Sequence, residues 1–187
     1  MPGKNFGNWH MCWWQALAFC MAGLACTGSA QAASQCAADE MTLFSCDSGK
    51  KTASVCASQP LSAQSLMQYR FGTAGKAELV WPPGVTREGM SYGSYAFSGG
   101  GGLYMRFVRD KAVYGVFSAT VKVGAKRINR DIEGIVAEND GKVVAALRCA
   151  FSKGDNPLKV SFDELAKLGL ANDDTPQLEI PDALWPK

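Results

Sequence analysis

The 187-residue sequence predicts an all-β fold: an antiparallel β-barrel or tight sandwich of about eight strands, with a short C-terminal helix. Two observations support this prediction. Short apolar or alternating runs recur along most of the chain, and turn residues separate them, as is typical of successive hairpins. A clear helix start signal occurs near the carboxyl end. We therefore expect one β domain with a helical appendage.

The first 32 residues have the pattern of an export signal. Lys4 precedes an apolar run of about 15 residues, which is shorter than the roughly 20 needed to span a bilayer. Ala30-Gln31-Ala32 fits the A-x-A cleavage pattern, so cleavage is expected after Ala32, with Ala33 as the alternative. The rival interpretations are a retained anchor and lipidation of Cys26. The signal predicts a periplasmic or secreted protein.

Composition excludes several classes of function. Without the leader, a β domain over residues 33–150 and an extension over 151–187 remain. Losing Lys4 leaves 18 of the 19 basic residues against 17 acidic ones, so net charge favours neither nucleic acid nor a polybasic membrane attachment. His10, the only histidine, leaves with the leader, which excludes Ser-His-Asp and Cys-His mechanisms and the commonest metal ligand. We expect no enzyme, cofactor or metal.

Four cysteines remain after the leader, and their even number predicts two disulfides. Their spacing matches no zinc pattern, since none forms a C-x-x-C pair. A first hairpin, 41–46 with 51–57, is expected to have a four-residue loop that sets Cys46 opposite Lys51. On that register Cys46 and Cys56 point to opposite faces. Cys56 could then meet Cys36 and leave Cys46 for Cys149, one of three possible pairings.

Three further hairpins follow from the turn residues. They pair segments 66–71 with 77–81, 103–109 with 112–121, and 133–138 with 142–150. The second has a two-residue turn that sets Phe107 opposite Tyr114 and Tyr104 opposite Phe117. The third contains Asp140-Gly141 and is expected to pair Glu133 with Arg148.

Segment 85–93 is predicted to be a long loop. Segment 122–130 holds Lys122, Lys126, Arg127 and Arg130, and it is interpreted as a solvated loop or, alternatively, as a site for an acidic partner.

A run of four glycines joins two aromatic-rich segments, 95–97 and 103–107. It lacks the lysine and the following helix of a phosphate-binding loop. It is therefore interpreted either as a flexible hairpin turn or as a loop that a partner's backbone or a ligand approaches closely. In the second interpretation the binding residues are Ser98, Gly99, Gly100, Gly101, Gly102, Tyr104 and Arg106.

Two other residue sets could form sites. Aromatic residues at strand spacing either pack a core or line a ligand groove: Tyr92, Tyr95, Phe97, Tyr104, Phe107, Tyr114 and Phe117. Glycoside chemistry would need two carboxylates brought together, and the spacing recommends no pair among Glu78, Glu88, Glu133 and Glu138.

The C-terminal extension begins with a helix signal. Ser161 and Glu164 form a capping box, Leu165 and Leu168 share one face, and Gly169 ends the helix. Residues 172–187 are expected to be loose.

Three features of the sequence occur together: Phe44-x-Cys46-x-x-Gly49-Lys50, Ser98-Gly99 with Tyr104, and Cys149. In these features the chain resembles the periplasmic and membrane-bound inhibitors of c-type lysozyme. The resemblance implies a small exported β-barrel, a Cys46–Cys149 bridge, and a Ser-Gly-x-x-Tyr loop that enters the lysozyme cleft. Here Gly100 stands at the serine position of that loop and Ser98 comes two residues earlier. The chain also resembles exported bacterial β-proteins with a Ser-Gly-Gly-Gly-Gly loop.

Together these features predict a non-catalytic binding protein of the bacterial envelope that acts through the glycine-rich segment. Its expected partner is a protein such as a c-type lysozyme. The alternative is a β domain that binds a small apolar or envelope ligand on its aromatic face.

Overall fold

The computed structural model describes residues 34–150, 157–172 and 177–186. The predicted leader, its cleavage sites and Cys26 lie outside the described residues. The elements are β1 (Glu40–Ser48), β2 (Lys51–Ser58), β3 (Met67–Thr73), β4 (Lys76–Trp81), β5 (Met90–Phe97), β6 (Gly100–Arg109), β7 (Ala112–Val123), β8 (Ile128–Asn139), β9 (Lys142–Arg148), helix α1 (Phe162–Lys167), β10 (Ala171–Asn172) and a 3₁₀ turn over Asp182–Leu184.

The strands form two sheets packed face to face. One has the antiparallel order β1-β2-β3-β4, and the other has the order β10-β5-β6-β7-β8-β9. Only the β10–β5 pairing is parallel among the described strands. The all-β prediction and its sandwich alternative are confirmed, since the described strands close no barrel. The described strands number ten, and the predicted 85–93 loop is wrong in its last part because β5 begins at Met90.

The main core lies between the two sheets. It combines Phe44 and Val55 from the first sheet with Met105 and Phe107 from the second, all fully buried. Helix α1 adds Leu165 and Leu168 to the same core. The predicted helix is confirmed: Ser161 caps Glu164 N–H and receives the reciprocal Glu164 side-chain contact. Gly169 follows with a φ of +70°.

A second apolar cluster covers the other face of the six-stranded sheet. Leu178 and Leu184 from the C-terminal segment are buried there, on Tyr104 and Phe117. Tyr95 anchors this segment by donating its hydroxyl proton to the Leu178 carbonyl at 2.7 Å. The expectation that 172–187 is loose is therefore wrong for residues 177–186. This segment also explains why both faces of β6 and β7 carry aromatic side chains.

The first hairpin carries both disulfides. Cys36 bonds Cys56, and Cys46 bonds Cys149, the two pairings that the sequence favoured. The predicted register is nevertheless wrong: the turn contains two residues, and Cys46 lies opposite Ala53. The conclusion that Cys46 and Cys56 do not bond to each other is still correct, because the two residues lie on opposite faces of the hairpin. Cys46 belongs to the core between the sheets.

The register of the β6–β7 hairpin is confirmed. Phe107 lies opposite Tyr114, and Tyr104 lies opposite Phe117. The β8–β9 prediction is wrong by one position, because an irregularity at Ala137 and Glu138 shifts the pairing. Arg148 therefore lies opposite Gly134. Instead of pairing with Glu133, Arg148 donates to the Leu184 carbonyl.

Candidate functional site

Most of the glycine run lies in a strand rather than in a loop. Ser98 and Gly99 make the two-residue β5–β6 turn, and Gly100, Gly101 and Gly102 are the first residues of β6. Gly99 has a φ of +86°, a conformation that favours glycine at this turn. The exposed part of the predicted binding segment is therefore limited to its tip, since Ser98 and Gly99 are exposed and the three following glycines are partly buried.

The close backbone approach expected at the glycines occurs inside the protein. A Cβ on Gly100 would overlap the Thr120 carbonyl oxygen, and one on Gly102 would overlap the backbone of Ser118 and Ala119. All three contacts come from β7. The glycines therefore let β6 lie close against β7, and this explains their presence without an external ligand.

The remaining predicted binding residues lie farther along β6. Tyr104 is fully buried in the cluster under the C-terminal segment, 4.9 Å from the Tyr95 ring centre. Arg106 is half-buried, six residues past Gly100, or about 20 Å along the strand. The structure therefore does not bring Tyr104 and Arg106 to the same surface as Ser98 and Gly99.

The seven aromatic residues divide between the two clusters. Tyr92 and Phe107 lie in the core between the sheets, with Tyr114 packed against it. The others pack with the C-terminal segment: Tyr95, Phe97, Tyr104 and Phe117. Ligand binding on an aromatic face stays a prediction, and the C-terminal segment covers the face that carries Tyr95, Tyr104 and Phe117.

A second hairpin reaches the same surface as the glycine turn. Strands β7 and β8 extend past Gly100, the first residue of β6, and are joined by a turn at 124–127. Arg127 donates from Nη2 to the Ser98 carbonyl oxygen at 2.9 Å. A Cβ on Gly99 would lie 2.7 Å from this Nη2 and 2.8 Å from Lys122 Cδ. The missing side chain at Gly99 therefore lets two cationic side chains pack over the turn.

This surface, which we call the basic hairpin end, comprises Ser98, Gly99, Lys122, Lys126, Arg127 and Arg130. All six residues are exposed. Its four cations make none of the three ion pairs found among the described residues. Asp131, the nearest acid in sequence, accepts a hydrogen bond from Thr120 at 2.7 Å. The predicted solvated loop is thus a strand pair with a tight turn, and it keeps its exposed charge.

No protein-family model, curated protein or solved structure matches this chain. Its function must therefore be inferred from its own surface and chemistry.

The acidic residues form few candidate sites. Cys36, Glu40 and Cys56 are the one group of metal-ligand type close enough to hold an ion in the described part of the chain, but both sulfurs are in a disulfide. Glu40 pairs with Arg70 at 2.6 Å. Neither feature favours a metal.

Glu133 is the one candidate carboxyl with a strongly altered environment. Burial raises its pKa to about 7, against the lowering effect of the hydrogen bond from Ser118 Oγ at 3.0 Å, and Asp131 raises it further. Its Oε2 is buried without a hydrogen-bond partner in the described structure. Glu78 pairs instead with Lys51 in the other sheet.

In the sequence, the glycine turn and the basic segment are separate candidate sites. The β6–β7 register, which is confirmed, predicts that the two lie side by side. Gly101 pairs with Thr120, so continuing the antiparallel count places Gly99 opposite Lys122.

Proposed function

We propose that this chain is an exported, non-catalytic binding protein that contacts a protein partner through the basic hairpin end. Two disulfides are typical of the periplasm or the extracellular space. Within the described residues, no helix is both long and apolar enough to cross a bilayer.

The charge distribution carries this proposal. The whole sequence is close to neutral, yet Lys122, Lys126, Arg127 and Arg130 are concentrated on one projecting hairpin. None of these four side chains takes part in an ion pair within the described part of the chain, and the neighbouring Asp131 accepts a hydrogen bond from Thr120. Such a surface is complementary to a partner surface lined by carboxylates, and electrostatic complementarity increases both association rate and specificity.

The partner that the resemblance implies is a c-type lysozyme. Lysozyme cleaves its substrate with two carboxyl groups inside a cleft. A narrow hairpin turn that carries Lys122 and Arg127 beside Ser98 and Gly99 has the charge to contact such a cleft. In this proposal the cations replace the tyrosine of the inhibitor loop, because Tyr104 is fully buried.

Lysis of bacterial cells by hen lysozyme tests the proposal. The wild-type chain should slow lysis at a near-stoichiometric ratio. The double variant Lys126→Glu/Arg130→Glu should weaken inhibition at least tenfold, since it places like charges at the interface. Within the described part of the chain, neither side chain makes a hydrogen bond or an ion pair, so the fold should persist.

The matched control is Lys76→Glu/Lys142→Glu. It makes the same change in net charge at exposed positions that lie outside the hairpin end, and it should inhibit like the wild type. Unchanged lysis in the presence of the wild-type chain would refute lysozyme inhibition. Equal loss in both double variants would refute the assignment to the hairpin end.

A further inference from the structure

An apolar pocket opens between the two sheets, away from the basic hairpin end. It has a volume of about 110 Å³. The side chains that matter here are Tyr69, Phe71 and Leu79 from the four-stranded sheet, and Tyr114, Ala145 and Leu147 from the six-stranded sheet. Leu79 lies on β4, and Ala145 and Leu147 lie on β9. Both strands are terminal strands of their sheets. The pocket therefore lies where neither sheet continues.

Two small residues that are neighbours on one face of the six-stranded sheet leave space at the pocket. Ala137 of β8 pairs with Ala145 of β9, and both line the cavity. The pocket is open to solvent at Ala145, which is exposed, and its lining is aromatic and aliphatic. A water molecule held there would lack the two to four polar partners that a stable site needs. Hydrocarbon is thus the chemistry that the pocket favours.

The size of the pocket limits the ligand. A methylene group takes up roughly the volume of one water molecule in the liquid, about 30 Å³. The cavity thus accommodates about three or four methylene groups. A short hydrocarbon chain fits this volume, and a complete lipid does not.

The cationic side chain of Lys51 lies beside the pocket. Lys51 Nζ lies 5.3 Å from the ring centre of Phe71, which lines the cavity. The same ammonium group pairs with Glu78 at 2.7 Å, and both side chains are a little over 40% exposed. An anionic head group can therefore replace Glu78 on Lys51 while its hydrocarbon chain enters between the sheets.

We propose that this pocket binds a free alkanoate of short to medium chain length, with the carboxylate on Lys51 and the chain end against Ala137 and Ala145. Ligand binding here is independent of the function proposed for the basic hairpin end. Each methylene that enters should strengthen binding about fourfold, which follows from about 0.8 kcal/mol for a buried methylene.

The test uses the mature chain with straight-chain alkanoates from four to ten carbons, followed by ligand-observed NMR and calorimetry. Affinity should rise about fourfold per carbon and then level off once the pocket is full. Lys51→Gln should lower the affinity for alkanoates roughly three- to fivefold, as expected for the loss of a partly exposed ion pair. The affinity for the corresponding alcohols should not change. Equal effects on acids and alcohols would overturn the role of Lys51.

Filling the pocket gives an independent measurement. Ala145→Leu should abolish saturable binding, and Ala145→Val should reduce it if the leucine variant does not fold. The control is Val144→Leu on the adjacent residue, whose side chain is 64% exposed, and it should bind like the wild type. The pocket assignment fails if no alkanoate binds saturably, if affinity rises without levelling off, or if Ala145→Val and Val144→Leu bind equally.

Discussion

Leu178 packs directly on Gly115, the fourth residue of β7. Both methyl groups of the leucine would overlap a Cβ on residue 115, and its Cγ lies 3.0 Å from the position of that Cβ. Glycine at 115 therefore leaves a space on the sheet surface that the C-terminal segment fills. This contact joins a segment near the end of the chain to a central strand of the sheet.

A double-mutant cycle measures this contact. Leu178→Ala should lower the free energy of unfolding by about 2–4 kcal/mol, since it leaves a cavity under the segment. Gly115→Ala should cost about 1–2 kcal/mol because Leu178 must shift. The double variant should be more stable than the sum of the single losses predicts, by urea unfolding. Strict additivity would show that the two residues do not interact.

The two disulfides should differ in their contribution to stability. Cys46–Cys149 closes a sequence separation of 103 residues, and Cys36–Cys56 closes one of 20. In the chain-entropy model the longer loop contributes more, about 4–5 kcal/mol against about 3 kcal/mol. Paired Cys→Ala variants should show this order in denaturant unfolding. The opposite order would mean that the segment around Cys36 stabilises the folded state mainly through its native contacts.

Stability should depend on pH through Glu133. Burial raises its pKa from 4.5 to about 7, so the folded state retains a proton that the unfolded chain has already lost. The resulting stability is complete below pH 4.5 and is lost as the pH rises to about 7. Glu133→Gln should remove this dependence and raise Tm at pH 8 by roughly 3–6 °C. Glu138→Gln on the same strand is the control, and a parallel effect there would contradict the assignment.

The glycines of β6 should be needed for folding rather than for binding. Gly102→Ala places a Cβ against the backbone of Ser118 and Ala119, so we expect a loss of about 2–3 kcal/mol. Gly124→Ala provides the comparison. Gly124 has a φ of +67°, and no atom lies within 4 Å of an added Cβ. This substitution should lower the free energy of unfolding by about 1 kcal/mol. Equal losses by urea unfolding would rule out close strand packing as the cause.

Local turn chemistry made some of this fold predictable. The two-residue turn at Asp110 and Lys111 sets the β6–β7 register, and every predicted pair on that hairpin is present. The helix from Phe162 was equally predictable, since its cap residues lie within three positions of one another. Both features depend on residues that are neighbours in the sequence.

Other features depend on distant contacts. The irregularity at Ala137 and Glu138 shifts β9 by one residue, and no turn residue marks it. The segment around Leu178 has no strand or helix period, because it binds to the sheet through single side chains and the Tyr95 hydroxyl. The basic hairpin end requires two turns to meet, as Arg127 and Ser98, which are 29 residues apart, do. Only the pairing of strands across the sheet brings these together.

The position of these contacts along the chain has a consequence for biosynthesis. The residues of the first four strands, with both Cys36 and Cys56, lie in the first half of the chain. Cys149 and Leu178 are made much later, and until then one face of the six-stranded sheet stays uncovered. A chain truncated before residue 178 should therefore expose Tyr104 and Phe117 and bind holdase chaperones.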